Sequence, residues 1–308
     1  MRVAVVGAGI AGVACARVLV EAGHEVVVLD RGHVPGGRMA SRRLGGRMVD
    51  LGASYFVPRD ERFVAVADGW RDRGLARPWT DAFAVWDGGL QPPKVGPMRW
   101  STPAGLRSLV ADLADGLELR PASEVAHVAA GTVDGTAYDA VVLAMPDPQA
   151  LRLLDEDLAR ERAAVAGRPW LPVLALAARF DARSWDWDGV FVHGSDVLEW
   201  VADDGSRRGD GAPVLVAHST PDFAAGHLQD PAAAADLMVA GLIAVGLPLP
   251  AEVLRVQRWT WAKPAGPREE PFFLGDRRVG LCGDGWGASK VEAAWLSGTA
   301  LGQALADG

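Results

Sequence analysis

The most constraining feature of this sequence is a glycine-rich turn between two apolar segments at the amino terminus. RVAVVGAGIAG predicts a buried strand from Arg2 to Val6, a turn, and a helix whose apolar residues recur at helical spacing. A second apolar segment, EVVVLD, ends at Asp30, about 20 positions after the glycines, as the dinucleotide fingerprint requires. The order of strand, glycine turn, helix, strand and acidic residue therefore predicts a Rossmann-like α/β domain.

The three glycines of that turn have separate physical roles. Gly7 permits the tight turn, Gly9 lets a pyrophosphate approach the backbone, and Gly12 lets the helix pack closely on the strand. The helix amino terminus offers free N–H groups and the positive end of its dipole to phosphates. The Asp30 carboxylate is suited to accept hydrogen bonds from the adenosine ribose. The pattern also occurs in ordinary structural turns, and alone it does not separate NAD from FAD.

The segment after Asp30 favours FAD. RGHVPGGRMASRR is similar to the second signature of the glutathione-reductase-type flavoproteins, in which an acidic residue is followed by Gly-Gly-Arg. The Arg38 guanidinium can pair with a phosphate through two parallel hydrogen bonds. In the following DLGASYF, the small residues Gly52 and Ala53 let the chain pass close to a flat ring. Among the three other arginines of this stretch we expect at least two to be solvated or salt-bridged: Arg42, Arg43 and Arg47.

The carboxyl terminus predicts a second contact with the flavin. RVGLC indicates a short strand, Gly283 and Asp284 a turn, and apolar residues from about Lys290 return with helical period. Asp284 is suited to bind the ribityl hydroxyls or a pyrophosphate-bound water. The last helix would direct its positive end at the flavin N1–C2=O edge. The alternative is a purely structural strand, turn and helix that ends a domain.

The middle of the chain adds three local predictions. Residues 123–150 indicate an antiparallel ribbon with a turn near Asp134–Gly135, followed by a buried strand at 140–144. The backbone of Val125 is a candidate contact for the adenine. STPAGLRSLVADLADG, residues 101–116, predicts a helix with Pro103 near its first turn.

Composition excludes several classes of protein. With 308 residues, a net charge of −8 and a pI near 5.3, the chain is unsuited to coating nucleic acid or anionic lipid. Cys15 and Cys282 are the only cysteines and have neither metal-ligand nor CxxC spacing, so we expect no disulfide framework, no metal and a reducing, cytoplasmic setting. Glycines and Arg17 interrupt the first apolar run, which argues against a signal peptide or a membrane span.

Taken together in their order along the chain, these motifs resemble the renalase family, within the wider amine oxidase and phytoene desaturase clan. The matching stretches are GAGIAG at 7–12, GGRMASRR at 36–43, DLGASYF at 50–56, VLAMPDPQA at 142–150, RWTWAKPAG at 258–266, CGD at 282–284 and KVEAAWLSG at 290–298. The chain departs from the family pattern at Ala293, where glycine is usual, and at Trp286, which is displaced by one position.

The resemblance implies a discontinuous FAD-binding domain from 1–55, 101–148 and 275–308. A mixed α+β substrate domain would come from 56–100 and 149–274, which contain ten of the twelve tryptophans. It also implies non-covalent FAD. The predicted cofactor contacts are Gly7, Gly9, Ile10, Ala11, Gly12, Asp30, Arg31, Gly37, Arg38, Met39, Gly52, Ala53, Val125, Ala144, Gly283, Asp284 and Val291.

Renalase-like enzymes oxidise the 2- and 6-dihydro isomers of NAD(P)H and pass the electrons through FAD to O2, giving hydrogen peroxide. Because a dihydropyridine is already a strong hydride donor, no catalytic side chain is obligatory, and positioning supplies most of the rate. His218, Lys263 and Trp259 are the candidate substrate contacts. We expect neither nucleic acid nor membrane as a partner.

Two alternatives remain at the level of sequence. The first is an oxidase of amines or other small metabolites, although amine oxidases usually place a tyrosine in the last motif and this chain has only Tyr55 and Tyr138. The second is a flavin-binding redox sensor without turnover, because a fold does not guarantee activity.

Overall fold

A computed structural model describes residues 1–308. The strands are β1 (Arg2–Val6), β2 (Glu25–Leu29), β3 (Ser41–Leu44), β4 (Arg47–Asp50), β5 (Arg77–Asp87), β6 (Leu90–Ser101), β7 (Glu118–Arg120), β8 (Val128–Ala129), β9 (Thr132–Val133), β10 (Thr136–Ala137), β11 (Ala140–Leu143), β12 (Trp170–Arg179), β13 (Gly189–His193), β14 (Leu198–Asp203), β15 (Val214–Ser219), β16 (Glu252–Pro264), β17 (Phe273–Leu274) and β18 (Val279–Leu281). The helices are α1 (Ile10–Glu21), α2 (Glu61–Asp72), α3 (Arg107–Leu113), α4 (Asp147–Leu153), α5 (Ala159–Val165), α6 (Asp204–Arg208), α7 (Pro221–Gly226), α8 (Ala235–Ala244) and α9 (Val291–Asp307), with short 3₁₀ turns at Gly37–Met39 and Pro231–Ala234.

The first sheet has the strand order β17-β18-β11-β1-β2-β7 and is parallel except for β17. Its central strands are continuous apolar runs, as expected for a sheet that is covered on both faces. Helices α1, α2, α3 and α9 contribute to the hydrophobic core on one face. The ribbon of β8 and β9, together with α4 and α5, contributes to the core on the other face.

Close packing between α1 and α9 joins the two ends of the chain. A Cβ atom at Gly298 would lie 1.9 Å from the carbonyl oxygen of Ala11, and one at Gly302 would lie 2.9 Å from that of Cys15. Because glycine has no side chain, the backbone of α9 at these two positions can lie directly against α1. As a result, the carboxyl-terminal helix is fixed directly against the helix of the glycine-rich turn.

The second sheet is mixed, with the order β16-β12-β15-β14-β13-β5-β6. Only the β13–β5 pair is parallel. Helix α8 contributes to the apolar core on one face. The other face packs against the β3–β4 hairpin and against the residues that follow it, including Leu51 and Tyr55. This second face is called the inner face below.

The structure confirms the predicted fold class, a Rossmann-like α/β domain combined with mixed α and β structure. Five strands of the first sheet lie within the predicted FAD-binding segments. Helix α2, which lies in the segment 56–100, packs in the core of the first sheet against α9, where the Phe63 and Trp295 ring centroids lie 5.4 Å apart. No helix is both long enough and apolar enough to cross a membrane.

The helix predicted at 101–116 begins later than its sequence pattern indicated. Its first residue is Arg107, and Pro103 lies in the preceding loop. Gly105 has φ +93° and the amide of Leu106 donates to Asp50 Oδ1 at 3.0 Å. This long-range bond and the left-handed glycine hold residues 101–106 out of the helix.

Candidate functional site

The glycine turn lies at the carboxyl end of β1, where ligands bind in open parallel sheets. Gly7 has φ +111°, and a Cβ atom there would lie 2.5 Å from the carbonyl oxygen of Ala144. A Cβ atom at Gly12 would lie 2.0 Å from the Gly7 carbonyl oxygen and 3.0 Å from the Ala144 methyl group. The tight turn and the close helix packing predicted for Gly7 and Gly12 are both present, and Ala144 is small for the same reason.

The amino terminus of α1 has unpaired backbone donors. No side chain caps the helix, and the amides of Gly9, Ile10 and Ala11 donate to no loop acceptor. Four such N–H groups are free at the start of any α-helix and attract anions. Here they lie beside a second glycine loop, because Gly36 N donates to the Ala8 carbonyl at 2.9 Å.

That second loop touches the first through backbone alone. Gly37 has φ +53°, and its Cβ atom would lie 3.2 Å from the Cα atom of Gly9. Met39, at the end of the same turn, is buried in the core of the first sheet. The two glycine loops, 7–12 and 36–39, thus form one continuous backbone surface at the end of β1.

Asp30 lies next to this surface at the end of β2. Its Oδ2 accepts from Ala8 N and its Oδ1 from Gly32 N, both at 2.6 Å, which leaves lone pairs on each oxygen for further donors. The amide of Ser123 donates to the Asp30 carbonyl at 2.8 Å. This bond brings the chain that leads to Val125 beside Asp30, whereas the neighbouring Arg31 is exposed.

Arg38 joins three separated segments. Its guanidinium donates to both carboxylate oxygens of Asp284, at 2.9 and 2.5 Å, and to the carbonyl of Ala262 at 3.1 Å. Its carbon centre lies 5.0 Å from the centroid of the Trp170 ring. The second glycine loop, the carboxyl-terminal turn and two strands of the second sheet therefore meet at one side chain.

The carboxyl-terminal turn lies at the end of β18. Gly283 has φ +141°, its amide donates to Ser297 Oγ at 2.9 Å, and the direction of its absent Cβ is open. Helix α9 begins at Val291, as predicted, and has no side-chain cap. Trp286 turns away into the opposite core, where Arg268 lies 4.0 Å from its ring. Its displacement along the sequence thus serves core packing.

Residues 51–53 pass close to Arg38. A Cβ atom at Gly52 would lie 1.9 Å from the Arg38 carbonyl oxygen, which also accepts from Ala53 N at 2.9 Å. This protein contact already requires glycine at 52, so a flat cofactor ring is not needed to explain it. Contact of Gly52 and Ala53 with the flavin stays a prediction. Trp259 packs on the same loop, and its Nε1 donates to the Leu51 carbonyl at 2.6 Å.

His218 lies on β15, paired in register with Ala175 and Trp200. Its Nε2 is enclosed and has no hydrogen-bond partner in the protein. Burial lowers the pKa of His218 to about 3, and the positive charges of Arg207 and Lys263 add to that effect. The imidazole is therefore neutral at physiological pH. Lys263 Nζ pairs with Glu199 Oε1 at 2.8 Å.

An aromatic cluster that the sequence reading missed lines the inner face. Trp200 Nε1 donates to Ser54 Oγ at 3.0 Å, and the Tyr55 ring lies 5.3 Å from Phe83 and 6.1 Å from Trp200. Burial raises the pKa of Tyr55, so its hydroxyl stays protonated. The sequence signalled the cluster only weakly, because its members come from separate places in the chain: Tyr55 from a loop, Phe83 from β5 and Trp200 from β14.

A buried ionic network fixes the loop that carries Ser54. Arg207 and Asp204 are fully buried and paired at 2.5 Å, and Arg207 also donates to the carbonyls of Asp50 and Ser54, both at 3.1 Å.

The three other arginines of the stretch after Asp30 lie outside the glycine loops. Arg47 pairs with Asp204 and Asp210. Arg42 and Arg43 are exposed. The expectation that at least two of these three arginines are solvated or salt-bridged is therefore met.

The geometry fits the adenosine pyrophosphate of FAD. Free amides at the amino terminus of α1 can donate to phosphate oxygens, the touching glycines expose backbone without side chains, and Asp30 has free lone pairs for ribose hydroxyls.

The buried Cys15 and Cys282 are poor candidates for a flavin thioether, because burial raises the pKa of Cys15 to about 12 and that of Cys282 well above its ordinary value. No group of three His, Cys, Asp or Glu side chains is placed to hold a metal ion.

Comparison with known proteins agrees with this geometry. Residues 5–70 match the family described as NAD(P)-binding Rossmann-like domain. The chain is 43% identical over 65 residues to a Mycobacterium tuberculosis protein described as a flavin-containing monoamine oxidase, a match that covers 21% of this chain and 14% of that protein. It is 42% identical over 75 residues to the phytoene dehydrogenase of Streptomyces griseus, covering 23% and 15%. The matches thus span about one seventh of these relatives.

The similarity of folds extends over the whole chain. The cyclohexylamine oxidase of Brevibacterium oxydans superposes with a TM-score of 0.79 over 99% of this chain and 98% of that chain, at 14% identity. The chain thus has the fold of an amine oxidase, and its short sequence matches are to oxidoreductases of the amine oxidase and phytoene desaturase type. The relatives and the structure named here do not single out the renalase family.

Proposed function

We propose that this protein is an FAD-dependent oxidase that oxidises the 2- or 6-dihydro isomers of NAD(P)H to NAD(P)+, with O2 reduced to hydrogen peroxide. Non-covalently bound FAD would supply the electron acceptor for the dihydronicotinamide and the route of the electrons to O2. The resemblance in sequence supports the renalase-like substrate, and the arrangement of the inner face supports it independently.

The observation that carries the proposal is the neutral, unpartnered His218 on an aromatic inner face. A dihydronicotinamide is uncharged and flat, so it needs stacking surface and partners for its carboxamide. The enclosed Nε2 of His218 has no partner in the protein, and an unsatisfied buried polar group costs free energy until a ligand pairs with it. We assign His218 to the carboxamide and Trp259 to the wall beside the ring.

Lys263 has a different role in this proposal. Its ammonium is held by Glu199 at 2.8 Å and lies within electrostatic range of His218. The positive charge opposes protonation of the imidazole and so keeps it a neutral hydrogen-bonding group. No residue of the inner face is required to remove a proton, because the dihydropyridine loses a hydride and becomes aromatic.

A second candidate is an amine oxidase, which the fold of the cyclohexylamine oxidase and the match to the monoamine oxidase favour. A protonated amine gains from a free carboxylate or an open aromatic cage. Glu199 on this face is already neutralised by Lys263, and Tyr55 packs among Phe83 and Trp200. These contacts favour an uncharged reacting ring over a cationic amine.

The test is anaerobic mixing of the FAD-loaded protein with ordinary β-NADH, its 2- and 6-dihydro isomers, and cyclohexylamine, while the flavin absorbance is followed. Fast bleaching by an isomer and slow bleaching by β-NADH is the expected result. Bleaching by cyclohexylamine alone would favour the amine oxidase. Flavin that no donor reduces would contradict both activities and favour a redox sensor.

The His218→Gln variant tests the assignment of the carboxamide contact. We expect kcat/KM for the isomer to fall about tenfold, the cost of about one hydrogen bond in a buried site. His193→Gln is the matched control, because His193 is an exposed histidine of the same sheet, on β13, which β14 separates from the strand of His218. Equal effects of the two substitutions would remove His218 from the substrate site.

A further inference from the structure

Strand β16 has a bulge that the proposed reaction leaves unexplained. Trp259 is paired with Val173 and Lys263 with Leu171, so four steps along β16 correspond to two along β12. The two extra residues interrupt the regular alternation of side chains. Bulges of this kind reorient a side chain and are frequent beside active sites. Trp261 lies within this one.

Trp261 carries a stacked cation from another element. The guanidinium carbon of Arg152 lies 4.5 Å from the centroid of the Trp261 ring. Arg152 is exposed and has no carboxylate partner, and Trp261 is half-buried. Arg152 also lies in the last turn of α4, where a cation favours the helix end, but that role does not require stacking on an indole.

The Arg152–Trp261 pair adjoins the candidate site through the backbone. Ala262, the residue after Trp261, accepts from Arg38, which in turn holds Asp284. The side chains on either side, Trp259 and Lys263, are those assigned to the substrate region. The pair thus links α4, which packs on the first sheet, to β16 of the second sheet, and its arginine is exposed to solvent.

We propose that Arg152 and Trp261 bind the adenosine diphosphate part of a dinucleotide substrate. The guanidinium can donate two parallel hydrogen bonds to a phosphate, and the indole offers a face for the adenine. The inference rests on the proposed function, since it supplies the anchor that distinguishes a dinucleotide from a small amine. It assigns Arg152 to substrate binding and to no chemical step.

Kinetics with whole and truncated donors test this subsite. Arg152→Gln should lower kcat/KM for 6-dihydro-NAD about tenfold, the effect of losing about one charged hydrogen bond, and leave that for the corresponding dihydronicotinamide riboside unchanged. Arg255→Gln is the matched control, because Arg255 is an exposed arginine on β16 outside the bulge. Equal losses for both donors would overturn the assignment.

Calorimetric binding of ADP-ribose to the FAD-loaded protein separates this inference from the proposed reaction. Binding that Arg152→Gln and Trp261→Leu each weaken about tenfold supports the subsite, even where no dihydronicotinamide reduces the flavin. Ultrafiltration of the mixture checks that FAD is retained. Failure of ADP-ribose to bind, or equal binding by all variants, would overturn the subsite.

Discussion

At the scale of single residues, the candidate site depends on polar groups whose partners come from distant parts of the chain. Arg38 is held by Asp284 and by the Ala262 carbonyl, and Arg207 by Asp204 and two loop carbonyls. His218 differs from them because its enclosed Nε2 has no such partner. Burial without a partner leaves Nε2 with an unused hydrogen-bonding capacity and also makes protonation of the ring a cost to stability at low pH.

That cost gives a prediction about pH. His218 titrates at about 3 in the native state and near 6.5 in the unfolded chain, so between these values the unfolded state binds more protons. Stability contributed by a neutral His218 is therefore present above pH 6.5 and is lost as pH falls toward 3. We expect His218→Gln to lose less stability than the wild type on acidification from pH 7 to pH 5, by up to about 2 kcal/mol.

Urea unfolding at the two pH values measures this difference. His193→Gln is the control, because His193 is exposed on β13 and should leave the loss between pH 7 and pH 5 unchanged. Parallel pH dependence in the wild type and both variants would contradict a depressed pKa for His218.

Whether a residue's partners are near or far along the chain explains which site residues the sequence could predict. Gly7, Gly12 and Asp30 act within one strand, turn and helix, so their spacing predicted both the turn and the packing. Asp204 and Arg207 occur in VADDGSRRGD, which has the composition of an exposed turn. Their burial follows from contact with Asp50 and Ser54, far away in sequence. Such pairings depend on the tertiary fold and leave no local pattern.

At the scale of elements, ion pairs hold helix α6 against the β3–β4 hairpin. Asp204 is buried between Arg47 and Arg207, both at 2.5 Å, whereas Asp210 pairs with Arg47 at a half-exposed position. The late start of α3 has the same origin, since Asp50 takes the Leu106 amide that the sequence pattern placed inside a helix. The hairpin thus organises elements from both sheets.

Removal of the Asp204 charge tests how much this ion-pair network stabilises the fold. Asp204→Asn leaves Arg207 buried without its anionic partner and should lower the free energy of unfolding by about 3–5 kcal/mol. Asp210→Asn, the control, should cost less than about 1 kcal/mol because its pair is exposed to solvent. Chemical denaturation gives both values, and similar small costs would mean that the network does not hold the hairpin.

The contact between α1 and α9 is a second element-level constraint. Gly298→Ala would place a methyl group 1.9 Å from the Ala11 carbonyl, so the helices must separate, and we expect a loss of about 2 kcal/mol or more. Gly69 lies inside α2 with nothing within 4 Å of its missing Cβ. Gly69→Ala should therefore stabilise by about 0.5–1 kcal/mol through helix propensity.

Thermal denaturation of these two variants distinguishes packing from propensity. Opposite shifts of Tm are expected, downward for Gly298→Ala and upward for Gly69→Ala. A rise in both would show that α1 and α9 tolerate a wider separation than their glycines indicate.

At the scale of the whole molecule, the two ends of the chain and a strand of the second sheet meet around Arg38. The glycine loops come from the first forty residues, Asp284 from the carboxyl-terminal turn and the Ala262 carbonyl from β16. A ligand that binds only this assembled arrangement stabilises the folded chain by mass action. Binding of the cofactor should therefore raise the free energy of unfolding of the entire chain.

Two flavins, FAD and FMN, should differ in how much they stabilise the folded chain. FAD at about 100 times its Kd should raise the free energy of unfolding by about 2.7 kcal/mol in a single transition. FMN, which lacks the adenosine phosphate that the α1 terminus and Asp30 are placed to bind, should have little effect at the same concentration. Scanning calorimetry of flavin-free protein with each flavin makes the measurement, and Asp30→Asn should reduce the response to FAD. Equal stabilisation by FMN and FAD would show that the glycine loops do not hold the adenosine pyrophosphate.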